Sequence, residues 1–260
     1  MNYFNIRKIS HWLYSIQDPR GSYFYLIVGD DEALLFDTGY GIASLRDVIL
    51  EVTDKPVTIV LGHGHVDHAN GAYQFPEVWL HEADFDLFRE HTSEEWRRNT
   101  AMEDAATPAG FDAEAYIHAP APELRKLEAG QVFDLGGLHM DVIHMPGHTA
   151  GSIGLLAREH RVLLDSDAAN RFIFMHLPDS LSVSQYIATL ERVSSLDFDT
   201  FYTGHSDEPQ PISELQTYIQ VARNASIKEA EPFDFPAKAF NGLLYKEGDV
   251  AIVFNRDTLC

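Results

Sequence analysis

A four-layer α/β/β/α sandwich, two β-sheets face to face with helices outside each, is predicted for this 260-residue chain by three observations. Apolar strand-like runs and segments of helical spacing alternate in two similar rounds. Clusters of His and Asp fall just past the ends of several of those runs, where a rigid sheet presents side chains from loops. A hydrophobic content of 45% supplies enough apolar surface for one large layered core, so residues 1–260 are read as a single domain.

In chain order, Tyr3 to Ile16 and Ser22 to Phe36 read as strands around a Pro19-Arg20-Gly21 turn. Ile42, Leu45, Val48, Ile49 and Val52 recur at helical spacing, and Thr58 to Leu61 is the next strand. Val78 to Leu80 is a short strand and Ala83 to Arg89 begins a helix. The second round places strands at Gly137 to Val142 and Arg161 to Leu164, helices at Ser182 to Ser194 and Ile212 to Lys228, and a last strand at Val250 to Phe254. Between Glu90 and Leu127 the pattern turns polar and rich in Ala and Pro. A stretch that long inside a compact domain is read as a lid-like insertion, residues 90–127, with Trp96, Met102, Phe111 and Tyr116 as its apolar underside.

The chemistry is concentrated in His63-Gly64-His65-Val66-Asp67-His68, four candidate metal ligands in six residues. Imidazole and carboxylate are donors that zinc takes readily. In extended chain His63 and His65 point to one side and can grip one ion, while Asp67 and His68 follow at a turn and can face a second. Packing accounts poorly for the cluster, because crowded imidazoles and a carboxylate need a charge partner once buried. Further along, Met145 to Ser152 sets His148 in a Pro-Gly turn, Val162 to Asp167 ends a strand in carboxylates, and Phe201 to His205 ends another in a His. Asp37-Thr38-Gly39 follows the Ala33 to Phe36 run.

In these motifs, their order and nearly its whole length, the chain resembles the metallo-β-lactamase superfamily, whose fold is the four-layer αβ/βα sandwich. The resemblance implies that His63, His65 and His148 bind a first metal and that Asp67, His68 and His205 bind a second. It further implies that Asp167 bridges the two and that Asp37 orients ligand histidines without touching metal. Gly62 stands where a Thr commonly precedes the first His, and Ser166 replaces the Gly that commonly precedes the bridging Asp. A His at 65, where diiron reductases of the superfamily tend to carry Glu, favours two zinc ions over manganese or iron. The only cysteine, Cys260, is remote from every motif and is not read as a ligand.

Composition narrows the class. Forty acidic against 19 basic residues give a net charge of −21, which repels phosphate backbones and argues against a nucleic-acid partner. No run approaches the roughly 20 apolar residues of a membrane span, and Met1 to Gln17 lacks the apolar core of a secretion signal. With one cysteine, no internal disulfide forms, and a cytoplasmic protein is expected.

Two adjacent cations would lower the pKa of a bridging water to roughly 7 from 15.7, and Asp67 would orient the resulting nucleophile and take up its proton. The expected function is hydrolysis of an ester-type bond in a small molecule. Arg171 to His176, with Phe172 and Phe174, reads as an apolar pocket wall or as ordinary core, and His176 and Tyr186 as polar groups of the pocket. Lactones fit such a pocket best. Thioesters fit the ligand set, although Ser206-Asp207-Glu208-Pro209 is acidic where glutathione-thioester hydrolases carry basic residues. A β-lactamase, a small-molecule phosphodiesterase and an iron-dependent redox enzyme of persulfide dioxygenase type are the alternatives, with a non-enzymatic metal protein behind them. His11, His81, His91, His118, His139, His144 and His160 are assigned no role.

Overall fold

In this computed structural model the chain is described over residues 3–102, 107–234 and 240–259; Cys260 lies outside them. The first sheet runs β1 (Asn5–Lys8), β2 (Leu13–Gln17), β3 (Tyr23–Val28), β4 (Ala33–Phe36), β5 (Val57–Val60), β6 (Glu77–His81) and β7 (Glu123–Leu127), in that spatial order. The helices of this half are α1 (Leu45–Val52), α2 (Val66–Ala69), α3 (Phe85–His91), α4 (Glu94–Met102) and α5 (Ala113–Ile117). The second sheet is built from β8 (Val132–Asp134), β9 (His139–His144), β10 (Ile153–Ala157), β11 (Val162–Leu164), β13 (Thr200–Thr203) and β14 (Ser206–Pro211), in the order β14-β13-β11-β10-β9-β8. A third sheet joins β12 (Phe172–Met175), β17 (Val250–Phe254), β16 (Gly242–Glu247) and β15 (Glu231–Phe233). It packs beside α6 (Val183–Val193) and α7 (Glu214–Asn224).

Side-chain alternation separates the layers. In β4, Ala33 and Leu35 pack outward with Leu45, Val48 and Ile49 of α1, while Leu34 and Phe36 face Met140, Val142 and Leu155 of the second sheet. On the far side, Leu156, Leu163 and Phe201 meet Leu190 of α6 and Ile219 of α7. Three buried clusters therefore fill the three interfaces of an α/β/β/α sandwich. Helix ends are set locally: Ser44 caps α1 through the Asp47 amide, and Ser182 with Gln185 forms a capping box on α6.

Two long runs read as single strands are antiparallel hairpins. The amides of Ile9 and Ser10 both turn back onto the Leu13 carbonyl, and the Gly29 amide onto that of Glu32, so Tyr3 to Ile16 and Ser22 to Phe36 each fold in two. The third sheet was also not foreseen.

The 90–127 stretch holds regular structure: α4, α5 and β7, the last pairing in parallel with β6 as the edge of the first sheet. The Arg97 side chain, fully buried, fastens α4 inward by donating from Nε to Asn70 Oδ1 (3.1 Å) and from a terminal nitrogen to the Ala119 carbonyl (2.5 Å), its guanidinium over the Tyr73 ring. From α5, the Tyr116 hydroxyl donates to the Tyr40 carbonyl (2.9 Å) and accepts from the Asn70 amide (2.6 Å). Of the apolar underside, Tyr116 is buried, whereas Met102 is 79% exposed at the end of α4. Arg97→Met keeps the volume and removes both bonds, leaving the buried Asn70 oxygen without its donor. Urea unfolding should show a loss of about 2 kcal/mol, with the fold retained by circular dichroism.

Candidate metal centre

The parallel pairs β4/β5 and β11/β13 deliver their carboxyl ends to one seam between the two large sheets. Beyond β4, Asp37 takes a left-handed backbone (φ 68°), an arrangement tolerated because its side chain is held from three sides. Its Oδ1 accepts the Gly62 amide at 2.6 Å, while Oδ2 accepts the Ser166 hydroxyl at 2.7 Å and His68 Nδ1 at 3.0 Å. Beyond β5 lie His63 and His65. Here a helix, rather than a bare turn, begins: His65 is the N-cap of α2, whose first turn carries Asp67 and His68. The Thr38 amide and hydroxyl both bond the His68 carbonyl, which pins that helix to the Asp37 loop.

The remaining candidate ligands arrive from the second half. The turn between β9 and β10 presents His148, whose Nδ1 donates to the Phe174 carbonyl of β12 (2.8 Å). Buried Asp84 staples that turn to the first motif: its carboxylate accepts the Gly64 and Gly151 amides and the Thr149 hydroxyl, at 3.0, 2.6 and 2.7 Å. Asp167 follows β11 and His205 follows β13. Gly204 between them has no room for a side chain, since a Cβ there would lie 2.5 Å from the His68 ring and 2.7 Å from Asp167 Oδ1.

The structure gathers all seven residues into two groups, His63, His65 and His148 in one and Asp67, His68, Asp167 and His205 in the other. Within each group a donor atom from every member lies within 4.8 Å of all the others. Asp167 Oδ2 faces both, 3.1 Å from His205 Nε2, 3.5 Å from His68 Nε2 and 3.8 Å from His148 Nε2. For each buried imidazole, the partner on one nitrogen shows which nitrogen is left for a cation. Asp37 engages Nδ1 of His68, Ser166 that of His63 and Phe174 that of His148, so their Nε2 atoms turn inward. His65 is reversed: Nε2 meets Asp179 Oδ2 at 2.8 Å, and Nδ1 lies 2.9 Å from His148 Nε2. His63 Nε2, His68 Nε2 and Asp167 Oδ1 are buried without a hydrogen-bond partner. Buried nitrogens and carboxylate oxygens converging in this way are a donor set that fits two divalent ions, zinc among them.

Charge differs between the groups. Burial, with the neighbouring imidazoles, holds His63 well below its ordinary pKa and His148 at about 4, so both are neutral and ready to ligate. His65 moves up instead, because Asp179 outweighs burial and is itself held at about 2. In the second group burial disfavours every charge, yet mutual attraction prevails. Asp67 and Asp167 fall well below the carboxylate range, His68 rises and His205 reaches about 9.

Asp179 was missed by the sequence reading, because nothing in its spacing marks it; only the fold brings it to His65. His91 also proves adjacent, its ring stacked on Trp96 at 3.9 Å and lying 5.1 Å from that of His65. The other histidines set aside stay apart: His81 stacks on His144, His160 on Trp12 with His11 edge-on to it, and His118 and His139 pair with Glu94 and Glu159. Phe172, Phe174, His176 and Phe233 form an aromatic group beside the His148 turn. Tyr186, read as a pocket group, is instead core: it is buried on α6 and packs against Gly147 from behind the turn.

Comparison with known proteins agrees with this geometry. The family described as the metallo-beta-lactamase superfamily matches residues 17–205. Acyl-coenzyme A thioesterase MBLAC2 of Gallus gallus is 31% identical over 185 residues, covering 66% of this chain and 66% of the relative, so the chain spans about two thirds of its length. Hydroxyacylglutathione hydrolase GloC of Haemophilus influenzae is 29% identical over 149 residues, 54% of this chain and 64% of that protein. Among solved structures, a metallo-beta-lactamase from Pontibacter korlensis superposes with a TM-score of 0.62 at 17% identity, covering 85% of this chain and all of that one. The chain belongs to the metallo-beta-lactamase superfamily and is a metal-dependent hydrolase.

Proposed function

We propose that this hydrolase cleaves the thioester of a small acyl carrier, using two divalent ions, zinc in the first place, held by His63, His65 and His148 and by Asp67, His68, Asp167 and His205. The observation that carries the reading is the pair of adjacent donor groups sharing Asp167. The relatives named as acyl-coenzyme A and hydroxyacylglutathione hydrolases support a thioester over the lactone favoured by sequence alone. The acidic segment after His205 no longer weighs against an anionic carrier. Asp207 is turned onto Arg7 (2.6 Å) and the Ser15 hydroxyl (2.8 Å), and Glu208 lies 3.8 Å from the same guanidinium. Among the described residues no helix is long and apolar enough to cross a membrane. The single cysteine supports a cytoplasmic setting.

Bound cations would supply Lewis acidity toward the carbonyl and water of lowered pKa. The chain does the rest. Asp67, partly open to solvent with Oδ2 3.3 Å from His68 Nε2 and 3.6 Å from His205 Nε2, is placed to orient the attacking water and accept its proton. Asp37, Ser166, Asp179 and the Phe174 carbonyl hold the imidazole rings in register, so the donor groups are ready before substrate arrives. A thiolate, the base of an acid of pKa about 8.5, departs without a proton donor. The constellation therefore needs no general acid for this bond.

Hydrolysis of an acyl-coenzyme A, an acylglutathione, a lactone, a β-lactam and a phosphodiester should be compared before and after chelation. A chelator-sensitive rate concentrated on the thioesters is expected; turnover of the lactone alone would reverse the choice of bond. Iron in the isolated protein with oxygen uptake on a persulfide would replace hydrolysis by the redox reading. Asp67→Asn should lower kcat by at least about a hundredfold, measured on whichever thioester is turned over. Because the neighbouring carboxylates raise His68 and hold His205 up at about 9 in the metal-free chain, loading the second group should release protons. Calorimetric titration with zinc in buffers of different ionisation enthalpy counts them, and the second ion should bind more weakly as pH falls.

A further inference from the structure

We infer that the Ser166 hydroxyl is a positioning group that ties the two donor groups into one unit, and that Gly62 is bare so that this hydroxyl can stand between them. The inference rests on the two-metal reading of the site and concerns what holds it in register. Ser166 Oγ lies 2.7 Å from Asp37 Oδ2, 3.2 Å from His63 Nδ1 and 3.3 Å from His68 Nδ1, all inside the core. His63 belongs to the first group and His68 to the second. A hydroxyl has one proton to give and two lone pairs to accept with. The hydroxyl donates to Asp37 Oδ2, so any imidazole contact must be received from N–H. That assignment places the His63 proton on Nδ1 and frees Nε2, its buried unpartnered nitrogen, toward the first ion. His68 donates chiefly to Asp37 at 3.0 Å and grazes the same hydroxyl.

The backbone shows what this position costs. Ser166 has a φ of 53°, a left-handed conformation that glycine takes freely and that strains other residues. Its carbonyl accepts the Gly204 amide and the following peptides lead directly to Asp167, so the strand end cannot relax without moving a candidate ligand. Gly62 complements it. Its φ is not left-handed, so its backbone would accept any residue; space alone forbids one. A Cβ on Gly62 would sit 2.4 Å from Ser166 Cβ and 2.6 Å from its Oγ, which is the same volume approached from the opposite strand end. One side chain fits between Asp37, His63 and His68, and in this chain it comes from position 166. The two departures from the superfamily's usual residues are thus one exchange.

Ser166→Ala removes only the hydroxyl; Ser166→Gly removes the hydroxyl and the strain. Zinc affinity of each, by competition with a chromophoric chelator, should fall about ten- to a hundredfold for both ions together. The metal-free thermal midpoint of Ser166→Gly should match or exceed that of the parent, which separates a positioning role from a structural one. Returning a hydroxyl from the facing strand, in the double variant Gly62→Ser with Ser166→Gly, should recover at least about tenfold of the lost affinity. Parental affinity in Ser166→Ala, a loss confined to one ion, or no recovery in the double variant would each overturn the proposal. A parent chain that binds no zinc would remove the site reading itself, whereas a two-zinc parent with an indifferent Ser166→Ala removes only this inference.

Discussion

Seven imidazole and carboxylate side chains converge on one seam, five of them buried, and a charge or dipole left unmatched there costs several kcal/mol. Much of the surrounding structure answers that constraint. Four of the five rings, those of His63, His65, His68 and His148, have one nitrogen satisfied by Ser166, Asp179, Asp37 or the Phe174 carbonyl, and the other turned toward the donor group. Among the seven, the buried atoms that stay unmatched are those a cation would satisfy, His63 Nε2, His68 Nε2 and Asp167 Oδ1. The same geometry would therefore make an ion stabilising for the fold as well as useful for chemistry.

The scaffold meets the demand by placing loops where strand direction allows. Two parallel pairs, β4/β5 and β11/β13, end at the same seam, and each pair contributes members of both the clamp and the donor groups. Crosslinks between the halves are then short and buried: Asp37 to Ser166, Asp84 to Thr149 and Gly151, and the Ile153 amide to the Gly62 carbonyl. Loss of any one would loosen two loops that lie far apart in the chain. Helices α4 and α5 add a further anchor through Arg97 and Tyr116, both fastened to Asn70 just past α2.

What the sequence disclosed follows the range over which each cause acts. The His63 to His68 run is local, and its chemistry is readable in six residues. The strand ends carrying His148, Asp167 and His205 were visible as motifs, and their convergence followed from the resemblance. Hairpins inside Tyr3 to Ile16 and Ser22 to Phe36 were not visible, because Ser10-His11 and Asp30-Asp31-Glu32 interrupt apolar runs without a strong turn signature. Asp179 was invisible for a different reason: its importance is one contact with His65, 114 positions away. The third sheet pairs β12 with β17 across some 75 intervening residues, which no local pattern encodes.

The placement of carboxylates gives the two donor groups different tasks. The first has imidazoles alone, two of them neutral through burial, with its one nearby carboxylate, Asp179, held outside on the far nitrogen of His65. A cation held there would keep most of its charge and would supply Lewis acidity toward a carbonyl. The second group supplies two carboxylates held well below their usual pKa, which would neutralise much of the charge of a cation held there. Asp167, facing both, sets how much charge each side retains. The difference in charge between the two groups therefore follows from which side chains the strand ends carry, with Asp67 and His205 at the more open edge.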